Sequence, residues 1–77
     1  MNKQVAYALF DQIKFGAHKK LLDLAPAKTQ KIKVLNVDKG MFSALFLKTH
    51  LGFELYIENI KTKEGFVINE EGKFEVL

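Results

Sequence analysis

Seventy-seven residues make one domain with a thin stability margin, because a chain this short buries only about 60% of its unfolded surface. Apolar residues are 48% of the chain, seven of them phenylalanine, so a core is feasible without covalent staples. The absence of cysteine excludes a disulfide scaffold, a thiol nucleophile and a thiolate metal site, and the net charge of +3 comes from twelve basic residues, all lysine, against nine acids.

The first stretch reads as helical over residues 3–25. On a helical wheel Val5, Ala6, Leu9, Phe10, Ile13, Ala17, Leu21 and Leu24 fall in one wide sector, the pattern of a helix packed on a core. Asn2 is placed to cap its start, and Pro26 ends it by disfavouring helix at Ala25 and removing a donor. Gly16 marks a kink, a close backbone approach or a break into two shorter helices. Off the apolar sector lies a second stripe, Ala8, Phe15 and Leu22. A kink at Gly16 would rotate Phe15 and Leu22 into the same core. A straight helix would present them as a partner or dimer surface or, with Lys14, Lys19 and Lys20 alongside, as a membrane-surface contact.

Residues 25–30 are a linker of ordinary length. KIKVLNVD, residues 31–38, reads as a strand with Ile32 and Val34 on one face and Leu35 and Val37 on the other, so it is either central or bulged. Asp38, Lys39 and Gly40 signal a turn. The run 41–52 admits two readings. As a strand it puts Met41, Leu45 and Leu47 on one face and Phe42, Ala44 and Phe46 on the other; as a helix it would be capped by Asp38 and stopped by Gly52. The strand is favoured, because short turns flank it. A strand apolar on both sides suits a sheet covered on both faces, and with one helix for one face a second protomer is the simplest cover for the other.

From Phe53 onward the alternation is regular. Phe53, Leu55, Ile57, Phe66, Ile68, Phe74 and Val76 form one face, Glu54, Tyr56 and Glu58 lie on the other, and Ile60 breaks the alternation. Turns fall at Thr62–Gly65 and Asn69–Gly72, short enough that neighbouring strands must be antiparallel. The expected architecture is therefore a single α+β domain over 1–77: an N-terminal helix, 3–25, packed on an antiparallel β-meander of four or five strands over 31–77.

Catalytic constellations are poor. His18 and His50 have no second ligand at helical spacing, so no metal site is expected. Ser43 lies within an apolar run, and Thr29, Thr49 and Thr62 sit in linkers or turns, without a base and acid at hand. Glu70 and Glu71 fall in a turn, and Glu54 and Glu58 on a solvated strand face, where little shifts a carboxyl pKa. The five glycines are isolated, so no phosphate loop forms and no cofactor is expected.

Charge is uneven. Residues 1–33 hold seven lysines against two aspartates, a net +5, and residues 34–77 hold five lysines against seven acids, a net −2. Lys14, Lys19, Lys20, Lys28, Lys31 and Lys33 would form a phosphate-neutralising patch if their faces align, with Tyr7 and Phe15 near enough to stack bases. Lysine lacks the planar fork that reads guanine, so such binding would be non-specific. The lysine bias also fits an AT-rich coding genome, such as that of a phage or a Firmicute.

The sequence thus suggests a small non-enzymatic protein-interaction or regulatory module, an inhibitor or accessory protein. It would bind another protein or itself, as a homodimer, through Phe15, Leu22, Lys19 and Lys20. The alternative is a non-specific nucleic-acid-binding accessory protein using the lysine patch. With no apolar run long enough to span a bilayer and no signal-peptide pattern, a soluble, unprocessed, cytoplasmic chain is expected.

Overall fold

The computed structural model describes residues 2–37 and 40–77, with the side chains of 3–32 and 40–77. Asn2 as a cap, the side chains of Lys33, Val34, Leu35 and Val37, and the turn residues Asp38 and Lys39 lie outside what it describes.

Helix α1 spans Asn2–Phe15. Val5, Ala6, Leu9 and Ile13, spaced one, four and eight residues from the first, put their side chains on one stripe and are fully buried. The helix expected to run to residue 25 stops ten residues earlier, and Gly16 with Gln12 explains why. The Gln12 carbonyl accepts from both Gly16 N–H at 3.0 Å and His18 N–H at 3.1 Å. The Gln12 side chain folds over the helix end and takes Ala17 N–H at 3.1 Å. A Cβ on residue 16 would stand 2.7 Å from that Gln12 Oε1 and 3.0 Å from the Gln12 Cα, so glycine lets the Gln12 side chain lie this close over the helix end. The chain resumes as a short 3-10 helix, Lys19–Asp23. Ala17, expected on the buried sector, lies past the break and is exposed.

A turn follows, closed by Lys28 N–H donating to the Ala25 carbonyl at 3.1 Å. Pro26 sets its first corner and Ala27 its second, at φ 73°. Five strands then run in chain order across one antiparallel sheet: β1 Thr29–Val37, β2 Gly40–Lys48, β3 Phe53–Asn59, β4 Gly65–Asn69 and β5 Phe74–Val76. The fold is α+β, one N-terminal helix on a five-stranded antiparallel meander, as the alternation implies. The ambiguous run 41–52 is strand β2 as far as Lys48.

β1 is an edge strand carrying a bulge. Ile32 pairs with Ala44, but Leu35, and not Val34, pairs with Phe42, so one extra residue is inserted between them. That insertion accounts for the switch of apolar parity along 32–37. At the far turns, Asn59 Oδ1 accepts from Lys61 and Thr62 N–H, and Asn69 Oδ1 from Glu71 and Lys73 N–H, side-chain substitutes for backbone turn bonds. Gly72, at φ 82°, takes the left-handed position in the second turn.

The core lies between α1 and one face of the sheet. The sheet contributes Ile32, Phe42, Ala44, Phe46, Phe53, Leu55, Ile57, Phe66 and Ile68, and the helix packs over β3 and β4. Aromatic rings link its parts: Phe46 stacks on Phe53 at 5.5 Å, Phe53 meets Phe10 at 5.9 Å, and Phe66 meets Phe42 at 6.5 Å and Phe74 at 5.2 Å. Tyr7 pins the helix to the β4–β5 turn by donating from its hydroxyl to the Gly72 carbonyl at 3.2 Å. Lys48, in the covered-face position after Phe46, sends its ammonium to the carbonyls of Leu22 and Leu24, the latter at 3.0 Å. It thereby satisfies the carbonyl end of the 3-10 helix and holds it against β2.

Candidate association surface

The helix covers one face of the sheet, and among the described residues no element covers the other. Strand alternation decides what that second face carries. On β2 it takes Met41, Ser43, Leu45 and Leu47; on β3, Glu54, Tyr56 and Glu58; on β4, Gly65, Val67 and Asn69. Register then aligns these into rows. Lys31 stands beside Leu45, Leu45 beside Tyr56, Tyr56 beside Val67 and Val67 beside Glu75. One row therefore crosses all five strands and reads cation, apolar, aromatic, apolar, anion. Leu47, Glu54 and Asn69 form the row on one side, and Ser43, Glu58 and Gly65 the row on the other.

The small side chain of Ser43 and the missing one of Gly65 leave a trough of about 520 Å³ around Glu58. Lys31, Leu45, Tyr56 and Leu77 line its other sides. Leu77 is drawn there because its N–H donates to the Gly65 carbonyl at 2.9 Å. On this face Leu45 is 40% exposed, Met41 45% and Leu77 72%, while Leu47, Tyr56 and Val67 are half-buried by their neighbours. The Tyr56 hydroxyl donates to Glu54 Oε1 at 2.7 Å. That bond, with partial burial and the nearby negative charge, pushes the Tyr56 pKa above its ordinary value. The face is thus a mixed apolar and charged platform, open to solvent.

The residues singled out from the sequence are dispersed. Phe15 ends α1 and is 79% exposed. Leu22 does not continue a stripe with it: the break at Gly16 turns Leu22 inward, half-buried against the core, and leaves Phe15 outside. Lys19 and Lys20 are exposed and flank a shallow hollow with Leu22 and Asp23. Lys14 lies with its ammonium 5.6 Å from the Phe10 ring centre. Lys28 is exposed in the turn before β1. Lys31 belongs to the open sheet face, opposite the side that carries Lys14, so these lysines do not share one plane. The Lys33 side chain lies outside the described residues. Tyr7, considered for base stacking, is committed through its hydroxyl to Gly72.

His18 lies in the turn after the helix, and His50 lies exposed in the β2–β3 turn. Among the described residues no cluster of three or more His, Cys, Asp or Glu stands close enough to hold a metal ion, and no buried side-chain polar atom lacks a partner. Among them, too, no helix is long and apolar enough to cross a membrane.

Leu45, Tyr56 and Val67 were legible only as outward positions of separate strands. Their signal was apolar or aromatic character where alternation calls for a polar residue. No protein-family model, no curated protein and no solved structure matches the chain.

Proposed function

We propose that this protein is a non-enzymatic interaction module that regulates by binding another protein or a second copy of itself, and that the open face of its sheet is the binding surface. One observation carries this reading. Leu45, Leu47, Tyr56 and Val67 are contiguous on a sheet face that nothing in the described chain covers, and apolar surface gathered in one place marks an interaction site more often than scattered residues do. The charged rim of Lys31, Glu54, Glu58 and Glu75 around an apolar centre has the anatomy of a protein interface. Phe15 at the helix end and, apart from it, Lys19 and Lys20 beside the half-buried Leu22 are smaller candidate contacts.

Sedimentation velocity across micromolar concentrations tests the reading with the wild type, Leu45→Lys and Phe15→Glu. The wild type is expected to dimerise, and Leu45→Lys to sediment as a folded monomer. A wild type that stays monomeric at high micromolar concentration removes self-association. A folded Phe15→Glu monomer beside a dimeric Leu45→Lys moves the surface to the helix end.

Non-specific nucleic-acid contact is the second reading. It draws on Lys19, Lys20 and Lys28, which are exposed and form no ion pair among the described residues. It predicts micromolar binding to random DNA in fluorescence anisotropy, weakening with salt at a slope near −0.9 per phosphate neutralised on duplex. Binding that is absent at low salt ends it.

A further inference from the structure

We infer that two copies of this chain pair their open sheet faces about a two-fold axis running along β3 over Tyr56, so that Lys31 of each copy lies against Glu75 of the other. This arrangement rests on the reading of the open face as an association surface, and it adds the partner's orientation.

The argument starts from the row Lys31, Leu45, Tyr56, Val67, Glu75. Tyr56 sits at its centre, on the middle strand. The cation and the anion lie at its ends, each two strands away, or roughly 10 Å at ordinary strand spacing. A two-fold axis parallel to the strands reverses strand order in the partner. β1 then faces the partner's β5, and β2 faces its β4. Lys31 meets Glu75, Leu45 meets Val67, and Tyr56 meets its own copy. An axis across the strands would instead set Lys31 on Lys31 and Glu75 on Glu75. The charge pattern therefore selects one of the two perpendicular ways of stacking the faces, and the contact closes on itself as an isologous dimer. Sheets packed face to face stand about 10 Å apart and are turned by about 30°, within reach of a lysine side chain at each end.

Neither end of the row is firmly committed within one chain. Lys31 forms no ion pair among the described residues. Glu75 touches Lys73 at 3.4 Å, with both side chains more than half exposed, a contact that contributes little and yields to a second cation. The arrangement carries an opposing element. Glu54 and Glu58 flank Tyr56 on β3, so each approaches its own copy across the axis. Glu54 is partly occupied by the Tyr56 hydroxyl, and Glu58 stands beside the trough left by Ser43 and Gly65. Removing the Glu58 charge therefore tightens this dimer.

The test is a charge exchange between two exposed positions, read by sedimentation equilibrium with circular dichroism as the check on folding. Lys31→Glu makes both ends of the row negative, and Glu75→Lys makes both ends positive. Each variant alone is expected to associate at least about tenfold more weakly than the wild type, since like charges then face each other at both ends. An equimolar mixture is expected to recover wild-type affinity as a heterodimer, because each variant meets its complement at both ends. A mixture that stays monomeric, or variants that dimerise alone as well as the wild type does, overturns the arrangement. In that case loss of the wild-type dimer by Leu45→Lys would still support the sheet face as the surface. A monomeric wild type sinks the arrangement and the self-association reading together.

Discussion

The two faces of this sheet are built from the same strands and alternate residues, yet physics treats them differently. Phe46 and Leu45 are chain neighbours on β2. Phe46 is fully buried between Phe53 and the helix layer, while Leu45 is 40% exposed on the open side. The contrast extends to lysines. Lys48, on the covered side, is drawn into the structure by the carbonyls of Leu22 and Leu24. Lys31, on the open side, has no such partner among the described residues and lines the trough. The same residue type is therefore a structural tether on one face and an available charge on the other. What separates them is the helix, which removes water from one face and leaves it on the other.

The largest expected effect tests the covered side. Phe46→Ala removes a fully buried ring and should cost about 3–5 kcal/mol, most of what a domain of this size has to lose. Leu45→Ala should cost at most about 1 kcal/mol of monomer stability. Urea denaturation at low protein concentration checks both, and equal losses would erase the distinction between the faces.

Lys48→Met comes next. It leaves two carbonyls at the 3-10 helix end without their cation, and a loss of about 1–3 kcal/mol is expected. Hydrogen exchange should localise the loosening to residues 19–28. Unchanged exchange there would mean that Lys48 is as free as Lys31.

Phe15→Glu should change stability by no more than about 0.5 kcal/mol, because the ring is 79% exposed. Thermal melting checks this, and a large drop would show that Phe15 packs where the geometry leaves it open.

The smallest effect concerns Tyr56. Its raised pKa means the folded chain holds the phenol proton to higher pH than the unfolded chain does. Stability from this group is therefore complete below the ordinary tyrosine value of about 10 and declines as pH rises from there through the raised value. Ultraviolet titration should place the Tyr56 transition above the ordinary tyrosine value of about 10, and Glu54→Gln should bring it down. If the open faces meet in a dimer, the transition should also rise with protein concentration. A transition independent of Glu54 would break the assignment of its cause.

Much of this was already written in local patterns. The alternation of Phe53 to Ile57 and of Phe66 to Ile68, with asparagine and glycine in the turns between, dictates antiparallel strands with a defined inner face, because side-chain direction in a strand repeats every two residues. The same rule assigned Phe42, Ala44 and Phe46 to one side of β2. Val5, Leu9 and Ile13 named the buried stripe of the helix by their spacing. The end of that helix was not legible in the same way. Apolar periodicity continues through Leu21 and Leu24, and only the fold of Gln12 over Gly16 shows that the chain breaks there. Phe15 and Leu22 consequently part company, one outside and one inside.

Composition, and periodicities only a few residues long, therefore carry the α+β class, the inner face of the sheet and the lack of cysteine chemistry. The folded structure made Lys48 a tether and left Lys31 on the open face. It also decided that Lys31, Leu45, Tyr56, Val67 and Glu75, distant along the chain, lie in one row. Cross-strand register and the bulge in β1 make that alignment, and both are set by pairing between strands, which no single stretch of sequence contains.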